Sequence, residues 1–259
     1  MYIALPFVFA LLTALVYWLA TAYFWIPLIF LVLLLLIYWL TIWSRGNFFG
    51  YFPDSVKTKD RVVALTFDDG PNPPDTDRLL EILDNHQVKA TFFIPTVNLA
   101  KYPELAKKIM AAGHVIGNHS QSHKFINNFI YCFWEKEINR SQQVFLDILG
   151  RRPALYRPPW LFKQPFLLRN LKKHGLIPVS GWFGSSWEIW HASAERIAQD
   201  GLRVVKPGRI MIFHDGFDTK GGKRTGSVEA MNILIPELKA GGYKFLTVAQ
   251  LLKVPAYQN

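Results

Sequence analysis

The chain has 259 residues, 51% of them apolar, with 29 Lys and Arg against 19 Asp and Glu for a net charge of +10. That composition excludes a disordered chain and a collagen-like repeat, and Cys132, the only cysteine, excludes an internal disulfide scaffold. The charge is unevenly placed: residues 1–43 hold no Asp, Glu, Lys, Arg or His, so every residue of those types lies in the rest of the chain.

A membrane-spanning helix needs about 20 apolar residues, and the uncharged run is about twice that. It predicts two transmembrane helices, residues 3–20 and 26–43, joined by a turn at Thr21-Ala22-Tyr23-Phe24-Trp25 with Pro27 opening the second. A signal peptide cleaved after Ala20-Thr21-Ala22 and a re-entrant hairpin are the rival readings. Arg45, Lys57, Lys59 and Arg61 follow the second span, which by the positive-inside rule places the remainder in the cytoplasm. The expected organisation is a membrane segment over 1–44, a linker over 45–59 and a catalytic domain over 60–259. The expected partners are the lipid bilayer and, given the basic excess, an anionic surface or phosphate-bearing substrate rather than nucleic acid. The sequence does not specify the oligomeric state.

From Arg61 onward short apolar runs alternate with amphipathic stretches, the rhythm of βα units. Strands are expected at 62–67, 90–94, 115–117, 154–156, 177–180, 209–213 and 243–246. Helices are expected from 75 or 76 to 85, from Pro103 to Gly113, and at 134–149, 165–174, 192–205 and 227–240, with a last helical turn at the end. Seven or so strands separated by helices predict an α/β fold, a parallel sheet closed or nearly closed into a barrel, with function at the C-terminal strand ends.

Four segments satisfy that address. Asp68 and Asp69 follow the first strand within Thr66-Phe67-Asp68-Asp69-Gly70-Pro71. On extended backbone their side chains would point in opposite directions, one toward a metal and one acting as base, unless they only form an Asx-turn. His119 and His123, four apart, suit one face of a helical turn and a divalent ion, or are surface histidines. Tyr156-Arg157-Pro158-Pro159-Trp160 aims Arg157 from a rigid backbone, or is only a structural turn. His214 ends the run Ile210-Met211-Ile212-Phe213, placed for proton transfer or as a satisfied core histidine.

In order and spacing these pieces resemble the polysaccharide deacetylase family, the NodB-homology or carbohydrate esterase family 4 group, over roughly residues 60–253. Thr66–Pro71 matches its T-F-D-D-G-P, His119–His123 its H-[ST]-x-x-H, Arg157–Trp160 its R-x-P-[YFW], and Ile212–His214 its L-x-H with Ile in place of Leu. The resemblance implies a distorted (β/α) barrel of the NodB type and one divalent metal, Zn²⁺ first, with Ni²⁺, Co²⁺ or Mn²⁺ as alternatives. It implies Asp69, His119 and His123 as metal ligands, Asp68 as catalytic base, His214 as catalytic acid and Arg157 tethering Asp68. The backbone N–H of Trp160 would join the metal in stabilising the oxyanion. The implied activity is hydrolysis of the N-acyl amide, acetyl or formyl, of an amino sugar. Pro159, Trp160, Trp187 and Phe213 are the expected substrate-binding residues.

One departure stands out. The family's usual Asp-Trp pair, whose Asp orients the histidine, falls here on Ser185-Ser186-Trp187-Glu188, and Ser186 carries no charge. Either Glu188 substitutes, or His214 is oriented otherwise, or its pKa is lower than usual.

Lys220, Lys223 and Arg224, together with Lys163, Arg169, Lys172 and Lys173, read as a basic rim for a phosphate or anionic headgroups, or as a solvated face. With the hairpin, that rim favours an amino sugar on a polyprenyl phosphate carrier at the cytoplasmic face. The alternatives are an outward-facing deacetylase of peptidoglycan or an N-acetylglucosamine polymer, and a catalytically impaired, membrane-anchored glycan-binding protein.

Overall fold

The computed structural model describes residues 4–42, 49–124, 131–164, 166–190, 192–217 and 222–258, in two compact units, Met1–Trp43 and Ser44–Asn259. Arg45 and Lys220 lie outside the described residues.

The first unit is one helix, α1 (Ala4–Ile42), and this corrects the expected pair of helices. The proposed turn at residues 21–25 contains neither Gly nor Pro, and the Thr21 hydroxyl donates to the carbonyls of Tyr17 and Trp18, so the helix continues through it. Pro27 lies inside the helix, where a single proline bends a helix without reversing it. Among the described residues α1 is the one helix long and apolar enough to cross a membrane, over Ala10–Ile37.

In the second unit, among the described residues, the pairings between strands are parallel, with isolated antiparallel bridges at Ser55–Arg209 and Pro153–Tyr257. The strands are β1 (Val62–Asp68), β2 (Thr91–Ile94), β3 (Val115–Asn118), β4 (Leu155–Tyr156), β5 (Ile177–Pro178), β6 (Trp182–Phe183), β7 (Arg209–His214) and β8 (Lys244–Phe245). The helices are α2 (Asp75–Asn85), α3 (Thr96–Lys101), α4 (Pro103–Ala111), α5 (Tyr131–Leu149), α6 (Leu167–Lys173), α7 (Ala194–Val204), α8 (Thr225–Ala240) and α9 (Val248–Leu252). The strand path runs β5-β4-β3-β2-β1-β7-β6, with β8 paired to the start of β1.

The two ends of that path, β5 and β6, are joined only by Val179, Ser180 and Gly181. Laid flat, seven strands at about 4.8 Å spacing would separate those ends by roughly 29 Å, whereas the link reaches about 14 Å fully extended. The sheet must therefore curl. β5 and β6 stay unpaired with each other, so it is a half-barrel with a seam rather than a closed barrel.

Alternation along the strands sets the site. On β1, Val63, Leu65 and Phe67 face the helix layer with Leu79, Ile197, Leu234 and Leu238, while Ala64, Thr66 and Asp68 face inward. On β7, Met211 and Phe213 face the helices, and Ile210 turns inward against Ala64, Val248 and Leu251. α9, started by a capping box between Thr247 and Gln250, supplies the apolar residues below the site.

Candidate active site

Asp68 and His214 are register partners on adjacent parallel strands, β1 and β7, at their C-terminal ends. The two side chains share a cavity of about 310 Å³ with Asp69, His119, His123, Pro158, Trp160, Leu161, Phe183, Phe217 and Arg224.

The strand stops at Asp68. Asp69 has φ +71°, a left-handed conformation that is costly without glycine, and the turn brings its carboxylate into the same cavity as Asp68. The two carboxylates thus meet different partners, Asp68 the Arg157 guanidinium and Asp69 the His123 imidazole, through this turn rather than by alternation on an extended strand.

His119 and His123 do not sit on a helical turn. β3 ends at Asn118, and the following loop has Ser120 and His123 at φ +73° and +53°. It carries His123 Nε2 to 3.2 Å and His119 Nε2 to 3.5 Å from Asp69 Oδ1, and ligand atoms of all three residues lie within 4.8 Å of one another. His119 Nδ1 lies 2.8 Å from the carbonyl oxygen of Arg157. A carbonyl only accepts, so Nδ1 holds the proton and Nε2 turns a lone pair toward the carboxylate. Burial pushes the His119 pKa down to about 4, leaving the ring neutral. A lone pair facing a carboxylate is the arrangement of groups that share a cation. Two imidazoles and one carboxylate suit Zn²⁺ or another first-row divalent ion.

Arg157 follows β4 and is wholly buried. It donates to Asp68 Oδ1 at 2.7 Å, to the Thr66 hydroxyl at 2.7 Å and to the carbonyl of Ser180 at 3.0 Å, and its guanidinium stacks 4.1 Å from the centre of the Phe93 ring. Burial pulls its pKa below the usual value, opposed by the attraction of Asp68. Asp68 Oδ2 lies 3.9 Å from His119 Nε2, on the side of the Asp69, His119 and His123 cluster.

Glu188 resolves the departure from the family pattern. It starts the short 3₁₀ turn Glu188–Trp190, is 2% exposed, and its Oε2 lies 3.1 Å from His214 Nδ1 while Oε1 accepts from the His214 amide at 3.1 Å and from the Ser227 hydroxyl at 2.5 Å. Burial disfavours a charged His214, but the Glu188 carboxylate overrides it and lifts the pKa to about 9. Ser186, at the expected position, is exposed, and its neighbour Ser185 donates to Asp200 and accepts from the amide of Trp187.

The expected substrate contacts divide. Trp160, at φ +54°, is 38% exposed and packs 4.3 Å from the His123 ring. Trp187 is exposed beside Arg196 but does not line the cavity. Phe213 is fully buried and is corrected to a core residue: its neighbour His214 faces the cavity, so Phe213 must face α7 and α8. Pro159 is buried, and Pro158 lines the cavity in its place. Phe183, stacked parallel to His214 at 6.5 Å, and Phe217 were missed by the sequence reading. Nothing marks Phe217 in sequence, whereas Phe183 lies in a Gly-flanked strand of two residues.

The basic rim is also revised. Lys223 is exposed, but Arg224 is buried against Phe217 and donates to the carbonyls of Gly216 and Glu188, which makes it a brace rather than a surface cation. Lys163 is buried over the Phe52 ring, and burial lowers its pKa to about 8. Lys220 lies outside the described residues.

A profile of the polysaccharide deacetylase family matches residues 55–179. A peptidoglycan-N-acetylglucosamine deacetylase of Bacillus cereus is 31% identical over 205 residues, covering 79% of this chain and 94% of that protein. Among solved structures, a peptidoglycan N-acetylglucosamine deacetylase in complex with 4-naphthalen-1-yl-N-oxidanyl-benzamide superposes with a TM-score of 0.73 at 30% identity, over 79% of this chain and 94% of that one. A family 4 acetyl xylan esterase from Clostridium thermocellum, in complex with a cobalt ion, gives 0.67 at 34% identity over 76% and 94%.

Proposed function

The chain belongs to the polysaccharide deacetylase family, and from that premise we propose that it is a metal-dependent hydrolase that removes the N-acetyl group from N-acetylglucosamine residues of a peptidoglycan-type glycan. The observation that carries the reading is the register pairing of Asp68 with His214 across β1 and β7, with the Asp69, His119 and His123 cluster in the same cavity.

Asp69, His119 and His123 would hold the divalent ion, which when bound supplies a Lewis acid for the amide carbonyl and makes a water easier to deprotonate. Asp68 takes the water's proton at Oδ2, because Oδ1 is held by Arg157. The N–H of Trp160, at the turn bordering the cavity, is the backbone donor for the developing oxyanion. His214, its Nδ1 fixed on Glu188, delivers a proton from Nε2 to the leaving nitrogen. An amine leaves only once protonated, and a histidine lifted to about 9 remains an acid at neutral pH, as an amide substrate requires. Trp160, Phe183 and Phe217 provide flat apolar walls for a sugar ring.

Glu188 also removes the best support for an impaired binding protein, since the missing carboxylate is supplied from two residues further on. The polyprenyl-phosphate reading rested on a helical hairpin and a basic rim. α1 is a single helix, and Arg224 and Lys163 are buried while Arg169, Lys172, Lys173 and Lys223 stay exposed, so the weight for the polymeric glycan comes from the missing hairpin and the named relatives. We further propose that α1 anchors the protein in a membrane, with the catalytic unit outside; this side follows from the peptidoglycan-type substrate alone and runs against the positive-inside expectation. The deciding assay is mass spectrometry of acetate and formate released from peptidoglycan fragments, N-acetylglucosamine oligomers and lipid-linked amino sugars, with Asp68→Asn as control. Acetate from the polymers that is lost in the control supports the proposal, and release from lipid-linked sugars alone overturns it. A phosphatase reporter fused at Asn259 is expected to be active, and a fusion that instead fluoresces in the cytoplasm would refute the outward orientation.

A further inference from the structure

The loop from His119 to His123 turns tightly enough to place both imidazoles against Asp69, and two of its residues, Ser120 and His123, adopt left-handed backbone without being glycine. Such a conformation is costly for a residue with a Cβ and persists only where the surroundings impose it. All five amides of the loop have an assigned acceptor. The His119 N–H donates to the Ile94 carbonyl at 3.1 Å, Ser120 to Asn118 Oδ1 at 2.8 Å, and His123 to the Ser120 hydroxyl at 3.1 Å. The two in the middle, Gln121 and Ser122, both donate to one carboxylate oxygen, Oε2 of Glu137, at 3.1 and 2.8 Å. Oε1 of the same residue accepts from the Ser122 hydroxyl at 2.9 Å.

Three bonds from a single side chain on α5 thus grip the crest of the loop. The remaining amide acceptors are neutral and lie on the sheet or within the loop itself, so Glu137 is the one charged group among them. Hydrogen bonds to an ionised acceptor are roughly twice as strong as neutral ones. Two adjacent N–H groups converging on one oxygen also fix the orientation of the peptide planes that precede His123.

We propose that Glu137 is the positioning residue of the metal centre: it touches neither metal nor substrate, and it holds the loop so that His119 and His123 meet Asp69 at ligating distance. The inference rests on the metal-site reading above, and it adds a residue outside the motifs that carry the family resemblance. Partners that orient metal ligands typically contribute 10–100-fold in metal affinity.

The test is Zn²⁺ affinity of the full-length protein measured by competition with a chromophoric chelator, together with the visible absorption spectrum of the Co²⁺ form. Wild type is expected to bind one equivalent, and His119→Ala to bind none. Glu137→Ala is expected to bind Zn²⁺ 10–100-fold more weakly with an altered Co²⁺ spectrum. Glu137→Gln keeps one acceptor oxygen and should fall between the two. Excess metal should restore most of kcat in both variants, which a general loss of fold would not allow. Wild-type affinity and an unchanged Co²⁺ spectrum in Glu137→Ala overturn the proposal, and so does the same result in Glu137→Gln should the alanine variant fail to fold. A wild-type protein that binds no metal would refute the metal centre itself, a different outcome from equal binding by wild type and variants.

Discussion

His214 Nδ1 lies 3.1 Å from Oε2 of Glu188, a residue two positions beyond the one where the family pattern carries its aspartate. The longer glutamate side chain reaches back from the 3₁₀ turn, and Ser227 on α8 holds its other oxygen. With the His214 pKa lifted to about 9, above the ordinary 6.5, the pair stabilises the fold below about pH 6.5 and loses that contribution as pH rises through about 9. Glu188→Gln removes the charge and keeps the shape. It is expected to move the basic limb of the kcat/KM profile toward lower pH and to reduce activity at pH 8 by about 10²-fold, the lower range for loss of a general acid. A basic limb that stays in place would show that Glu188 does not set the acid.

Arg157 is a fully buried cation whose partners are Asp68, Thr66 and the Ser180 carbonyl. Arg157→Met leaves the Asp68 carboxylate buried without its counter-charge, and breaking such a pair costs about 3–5 kcal/mol. Urea denaturation should show that loss along with a large drop in kcat. A stable but inactive variant would assign Arg157 to catalysis alone.

Phe183 and Phe213 separate surface from core. Phe183 is 48% exposed at the cavity, and Phe213 is fully buried between β7 and the helices. Phe213→Ala is expected to cost about 3–5 kcal/mol of stability. Phe183→Ala should leave the denaturation midpoint nearly unchanged and raise KM for a glycan oligomer several-fold. Equal stability losses would contradict the assignment of Phe183 to the substrate wall.

Metal removal should be visible without any assay of turnover. A ligand that binds only the folded protein stabilises it by about 2.7 kcal/mol at a hundredfold excess over its Kd. Dialysis against a chelator is expected to lower Tm by several degrees, and Zn²⁺ to restore it in wild type but not in His123→Ala. An identical Tm with and without metal would count against the Asp69, His119 and His123 site.

The pieces of the site that sequence revealed are those with rigid local chemistry: two aspartates at a strand end, paired histidines, an arginine before two prolines, a histidine closing an apolar run. Strand parity on β7 follows from the strand assignment alone, and applying it places Phe213 on the face opposite His214. What was not legible depends on tertiary contacts. The loop of His119 and His123 looked helical by spacing, yet its path is set by Asn118, by Ser120 and by a distant Glu137. Phe213 was misassigned because family position outweighed strand parity. β6 and α3 are too short to show a period, and β6 is framed by Gly181 and Gly184, where a Cβ would collide with Ile212 and Phe213. The apolar run at the N-terminus gave length but no breaker strong enough to reverse the chain, so one helix formed where two were expected.

The link between β5 and β6 is tied to the centre of the sheet by a side chain, since the same guanidinium that donates to Asp68 at the end of β1 also donates to the Ser180 carbonyl in that link. The link that spans the seam and the residue proposed as base therefore share one buried cation. A displacement of Ser180 away from Arg157 is expected to loosen the counter-charge on Asp68 while most of the structure is intact. On heating, a reversible fall in activity should precede the main unfolding transition.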